Sequence, residues 1–264
     1  MTTNSEPVLY DVRDRVAWIT LNRPDRLNAL NEEISIAAIE AVERAASDDR
    51  AAVVVLAGAG RAFCAGGDIR AMAERGAMSV EDRAALIRRA QALPRRLFEM
   101  PKIVVAAVHG AVMGAGLGVA LACDFRIASS DARFGAAHAR LGYSGDYGVT
   151  WQLTQLLGPA RAKAMMISAE RFDAARALEL GLVSRVVEPS ALAEEAAGLA
   201  ANLAAGPLVA HRHIKANVHA AAAESYADAL EREATSNARC GVTDDHREGV
   251  AAFIEKREPR FKGR

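Results

Sequence analysis

An excess of charge of either sign is the first thing this sequence lacks: Lys+Arg and Asp+Glu each total 33 in 264 residues, so the formal net charge is zero. Without a broad basic field the chain is not expected to bind nucleic acid or anionic lipid, and any anionic ligand must be held by local groups. Cysteine is scarce as well. Cys64, Cys123 and Cys240 are too few and too scattered for a disulfide framework, and no CxxC pair or Cys/His cluster suggests a metal. A reducing, cytoplasmic setting fits this usage. The opening MTTNSEP has no basic region leading into an apolar stretch, so it reads as a short flexible tail and not as a secretory signal.

Long hydrophobic runs are nearly missing too. The exception, Ile103 to Cys123, has no formal charge and carries glycines at 110, 114 and 118, the spacing of closely packed membrane helices. Its composition argues against a membrane span. IVVAAV is short and β-branched like a buried strand, His109-Gly110 breaks it, and the rest is Ala and Gly where lipid insertion favours Leu, Ile and Phe. The segment reads as a buried strand, a glycine turn and a buried helix.

What is present, 51% hydrophobic and 25% charged residues, suits a soluble globular protein. VLYDVR (8 to 13) and VAWITL (16 to 21) alternate around Asp14 and predict a hairpin. Asn31 stands where a helix N-cap would, followed by Ile34, Ala37, Ala38, Ala41, Val42 and Ala45 at amphipathic spacing. Strands are expected at 51 to 60, 102 to 108 and 125 to 129, with a charged helix over about 80 to 98. Strands alternating with helices imply an α/β fold with crossover connections. From 146 onward helices dominate, with one further strand at 183 to 187. The spacing places a core domain over 1–200 and a helical region over 201–264, which could pack on a neighbouring subunit.

Two glycine motifs fail on inspection. GAGRAF (58 to 63) follows a strand, but Phe63 replaces the third glycine of a dinucleotide fingerprint. GYSGD (142 to 146) resembles a serine nucleophile elbow until Asp146 replaces the last glycine, and His138, Ser144 and Asp146 lie too close in sequence to form a triad readily. The junctions FCAGGD (63 to 68) and GAVMGAGLG (110 to 118) are more informative. Each follows a strand and exposes backbone N–H groups beside minimal side chains. Two such donors from different loops can form an oxyanion hole, although two tightly packed turns would look the same in sequence.

Together with ITLNRPDRLNALN (19 to 31), RAFCAGGDI (61 to 69), AAVHGAVMGAGLGVALACDFRIAS (106 to 129), ARFGAAHARLG (132 to 142), ALELGLVSRVV (177 to 187) and FIEKREPRF (253 to 261), these junctions make the chain resemble the crotonase superfamily, the enoyl-CoA hydratase/isomerase family. The resemblance implies a β/α spiral core, a C-terminal helical region mediating trimerisation, commonly with two trimers stacked, and a coenzyme A thioester as substrate with no separate cofactor. It implies that Gly67 and Ala115 supply the oxyanion N–H groups, and that CoA lies near Arg26, Ala65, Gly67, Asp68 and Ile69. Phe253 and Lys256 would reach the CoA of an adjoining subunit.

Departures from the family pattern bear on mechanism. Hydratases of this family use two glutamates, at positions that read Gly118 and His138 here. Asp146 falls where ring-opening enoyl-CoA isomerases and an aryl-CoA dehalogenase place an essential aspartate. A single carboxylate suffices to move a proton between carbons once the enolate is stabilised, so an isomerase with Asp146 as proton shuttle is the expectation. Asp146 could instead serve as the N-cap of a helix over about 147 to 157. His138, of a residue type that exchanges protons near neutrality, keeps open an atypical hydratase or hydrolase using His138 and Asp146. A catalytically silent acyl-CoA binding protein is the third reading. Dehalogenation fits less well, because that enzyme pairs its aspartate with a tryptophan at the position of His138.

Overall fold

A computed structural model describes residues 6–74 and 76–264. Most of the polar opening segment, residues 1–5, lies outside the described residues. The expected hairpin is present as β1 (Val8–Arg13) and β2 (Val16–Leu21), in antiparallel register from Val8 opposite Leu21 to Arg13 opposite Val16. Asp14 and Arg15 turn between them at positive φ. Next comes α1 (Glu32–Ser47), whose first turn is capped by the Asn31 side chain accepting from the Ile34 N–H.

The chain then runs through β3 (Val53–Gly58), α2 (Ile69–Glu74), α3 (Val80–Ala90), α4 (Ala92–Glu99) and β4 (Ile103–Val108). The single charged helix expected over 80 to 98 is therefore two helices meeting at Gln91. Their burial differs: α3 has no buried residue, whereas α4 buries Leu93, Pro94 and Leu97. After β4 come β5 (Ala111–Met113), α5 (Ala115–Leu121), β6 (Phe125–Ser129) and β7 (Arg133–Gly135). The uncharged run is thus buried strand, glycine turn and buried helix, with a short extra strand in the turn. Among the described residues no helix is long and apolar enough to cross a membrane.

The remainder comprises α6 (Val149–Leu157), α7 (Pro159–Ser168), β8 (Arg171–Asp173), α8 (Ala174–Glu179), β9 (Arg185–Val187) and α9 (Leu192–Ala204). Three helices close the chain: α10 (Leu208–Ala221), α11 (Tyr226–Gly241) and α12 (Asp244–Glu255). The main sheet has six strands in the order β1-β2-β3-β4-β6-β9, parallel from β2 onward. A three-stranded sheet, β5-β7-β8, stands beside it, with Val112 paired to Phe134 and Phe134 to Phe172.

Period-2 alternation sorts the central strands between two cores. Val54, Leu56, Val104 and Ala106 face α1, α4 and α5, while Val53, Val55, Val105 and Ala107 face the other way onto Ala196, Ala200 and Ala204 of α9. Helix α9 therefore continues across residue 200, as cover for the sheet, and the last three helices begin only after Gly206. They are tied back to the core by Lys215 of α10, which is buried and pairs with Asp124 at 2.8 Å. The same Asp124 oxygen accepts the Val104 N–H of β4.

Candidate active site

Asn28 fixes the first loop. It is fully buried at φ 55°, where Asn is better tolerated than most residues. Its amide donates to the Ala59 and Ala62 carbonyls, and its Oδ1 accepts from the Arg23 N–H. The segment from Phe63 onward is then held from both sides. Phe63 and Cys64 N–H donate to the carbonyls of His109 and Ala111, while Leu30 N–H donates to the Gly66 carbonyl and Asp68 N–H to that of Leu30. That bridge uses the peptide groups flanking Gly67, and alternation along an extended segment turns the Gly67 N–H the opposite way.

The second donor comes from a helix start. Ala115 is the first residue of α5, so its N–H has no acceptor within the helix. Among the described residues neither the Gly67 nor the Ala115 N–H donates a hydrogen bond. Gly116 lets the two loops converge. A Cβ there would lie 2.4 Å from the Cys64 carbonyl oxygen, a distance only glycine avoids without moving backbone.

Gly67, Ala115 and Asp146 line one cavity of about 210 Å³, whose other walls include Ile36 and Ile39 of α1, Met72, Leu86 and Ile87 of α3, and Tyr147. The arrangement is an apolar chamber with two backbone donors and a carboxylate, the pattern of a site that polarises a carbonyl and moves a proton. Glu32 also lines it but lies exposed at the start of α1. A larger cavity of about 580 Å³, beside Phe98, Trp151 and Ile214, contains neither donor nor Asp146.

Asp146 does not cap the helix that follows. That helix starts at Val149 with Gly148 as its cap residue and no side-chain cap bond. The Asp146 carboxylate instead meets His138, Nε2 to Oδ1 at 2.9 Å. His138 is 7% exposed, and its Nδ1 is buried with no hydrogen-bond partner. It is absent from the residues lining the cavity. No contact joins Ser144 to this pair among the described residues.

Around the first loop, Ala65 N–H donates to the Leu27 carbonyl, and Arg26 is exposed in the turn Pro24–Arg26. Asp68 caps α2 through the N–H groups of Arg70 and Ala71 and pairs with Arg23 at 3.2 Å. Burial works against ionisation of Asp68, but the Ala71 N–H and the Arg23 guanidinium outweigh it and hold the carboxyl below its ordinary range. Burial pushes the Cys64 thiol up to about 12, so it stays protonated beside the loop. Ile69 is exposed at the start of α2. Phe253 and Lys256, at the end of α12, do not line the Asp146 cavity within this chain.

Sequence reasoning missed the walls from α1 and α3. The signal was Ile36, an isoleucine off the buried face of an amphipathic helix and 49% exposed. It also named no partners for His109 and His219. His109 Nε2 bonds the Gly60 carbonyl at 2.9 Å, and the His219 ring stacks on Phe98 at 3.7 Å.

A family model described as enoyl-CoA hydratase/isomerase matches residues 11–264. A 1,2-epoxyphenylacetyl-CoA isomerase of Escherichia coli is 37% identical over 266 residues, covering 98% of this chain and 99% of that one. A crotonyl-CoA hydratase of Syntrophomonas wolfei is 34% identical over 257 residues, covering 97% and 98%. Among solved structures, an enoyl-CoA hydratase from Polaromonas superposes with a TM-score of 0.92 at 33% identity, covering 97% of this chain and 99% of that one.

Proposed function

The chain belongs to the enoyl-CoA hydratase/isomerase family, with its crotonase fold, and from that premise we propose that it is an enoyl-CoA isomerase using Asp146 as proton shuttle. One observation carries this reading: Asp146 lines the same cavity as Gly67 and Ala115. A 3-enoyl thioester bound with its carbonyl oxygen between those donors loses a C2 proton to Asp146. The C–H electron pair moves into C1–C2, and the oxygen takes the charge. When Asp146 returns the proton to C4, the double bond is left between C2 and C3 and the carbonyl re-forms. No separate cofactor takes part, because CoA belongs to the substrate. Hydration through His138 has less to support it, since Asp146 lines the cavity and His138 does not.

Part of the same reading is a cytoplasmic homotrimer, or two stacked trimers, joined through the closing helices. Val218, Phe253 and Ile254 are exposed there, and a neighbour's Phe253 and Lys256 would complete a CoA site around Arg26, Ala65, Asp68 and Ile69. The test is conversion of 3-enoyl to 2-enoyl thioesters. Asp146→Ala should lower turnover by about 100-fold or more while CoA binding survives. Full turnover in that variant would overturn the reading, water-derived oxygen in the product would favour hydration, and inertness of the native protein toward a broad acyl-CoA panel would favour a binding protein.

A further inference from the structure

His138 and Asp146 lie eight residues apart in the segment between β7 and α6 and are hydrogen-bonded to each other, yet of the two only Asp146 lines the cavity. The Nε2–Oδ1 bond of 2.9 Å uses one oxygen of the carboxylate, and no hydrogen bond takes the other, Oδ2. At the far edge of the imidazole, Nδ1 is buried and has no partner. The Nε2 edge also faces the second oxyanion loop: a Cβ on Gly114, next to Ala115, would lie 3.8 Å from Nε2. His138 is therefore wedged between the proton-carrying carboxylate and the turn that aims one N–H donor.

We infer that His138 is a positioning residue, held as the tautomer with its proton on Nε2, which donates to Oδ1 and leaves Oδ2 of Asp146 to take and return the substrate proton. The inference deepens the isomerase reading and rests on it for the identity of the proton's destination. The alternatives each strand a donor. A proton on Nδ1 alone would bury an N–H with no acceptor and set the bare Nε2 lone pair against a carboxylate oxygen. A doubly protonated ring would bury the same orphan N–H. A bare Nδ1 is the least costly occupant, since an unpaired acceptor is tolerated in protein interiors more often than an unpaired donor. A charge-assisted N–H···O⁻ bond then fixes the carboxylate's orientation.

Backbone geometry around the pair points the same way. Ala137, immediately before His138, has φ 27°, and Tyr147, immediately after Asp146, has φ 51°. Non-glycine residues at positive φ are held there only when their surroundings impose it, and they collect at functional sites.

The experiment combines three measurements on the full-length protein. In ¹⁵N-histidine NMR, with His138 identified by its loss in His138→Gln, the native ring should show a protonated Nε2 and an unprotonated Nδ1; a proton on Nδ1 would overturn the inference. In steady-state isomerisation, His138→Ala should lower kcat by about 10- to 100-fold with KM little changed, the range for removing an outer hydrogen-bond partner of a functional group. His138→Gln, whose side-chain N–H can stand in for Nε2–H, should recover most of that loss and keep the native pH profile. Equal loss in both variants, or a changed pH profile in the Gln variant, would make His138 an acid or base in its own right. If the native protein isomerises no 3-enoyl thioester, the functional reading fails, while the tautomer measurement still decides the state of the pair.

Discussion

Gly118 stands against the backbone of Tyr147: a Cβ placed on it would fall 2.5 Å from the Tyr147 carbonyl oxygen and 2.9 Å from both the Tyr147 Cβ and the Val149 Cγ2. The missing hydratase glutamate is thus a difference of backbone packing, and restoring its side chain requires α5 and the loop after Asp146 to separate.

Gly118→Glu should therefore not create a hydratase. The expected result is a fold destabilised by about 1–3 kcal/mol, the usual cost of overpacking, with isomerase activity reduced and no gain of hydration. Urea unfolding and a hydration assay read both effects. A variant of native stability that hydrates 2-enoyl thioesters would refute the packing argument.

Ala115→Pro removes one of the two proposed oxyanion donors at the first position of α5, where proline suits a helix. Turnover should fall by about 10²–10³-fold, the magnitude for losing such a donor, while circular dichroism stays native. Retained turnover would show that the Ala115 N–H does not hold the developing charge.

At acid pH the C-terminus should loosen in steps. Hydrogen bonds from the Arg257 guanidinium and the Arg260 N–H hold the Glu248 carboxyl down at about 2, below its ordinary value of 4.5. Its contribution is present above the ordinary value and is lost as the pH falls through about 2. Amide protection over 257 to 264, taken relative to the intrinsic exchange rate at each pH, should fall across that window, and Glu248→Gln should abolish the dependence. Unchanged protection on acidification would show that this ion pair does not pin the segment.

Much of the architecture was legible where local chemistry decides it. Asn31 capped its helix, the 8–13 and 16–21 strands paired, and 125–129 was a strand with Ile127 and Ala128 facing opposite cores. The three-residue strands β5, β7 and β8 left no such mark: Phe134 is strand only because Val112 and Phe172 flank it from distant parts of the chain. Gly67 and Ala115, singled out through the neighbouring glycines and the family resemblance, do line one cavity with Asp146. Asp146 and His138 were both singled out, but not their bond, because the turns through Ala137, Gly142 and Tyr147 that bring them together depend on tertiary contacts and not on propensity. The expected boundary near 200 falls inside α9. The alanines of α9 carry little information alone and acquire meaning only against Val53, Val55 and Val105.

Lys215 changes how the molecule can be dissected. A buried carboxylate that loses its cation leaves a charge without compensation, at a cost of about 3–5 kcal/mol, a large part of the 5–15 kcal/mol that keeps a typical domain folded. Asp124, whose side chain is 12% exposed, approaches that case, and it also anchors the strand entering the glycine turn. Cutting away the closing helices would therefore strip Asp124 of its cation, so the core and its helical cover cannot be separated without a cost felt in the central sheet.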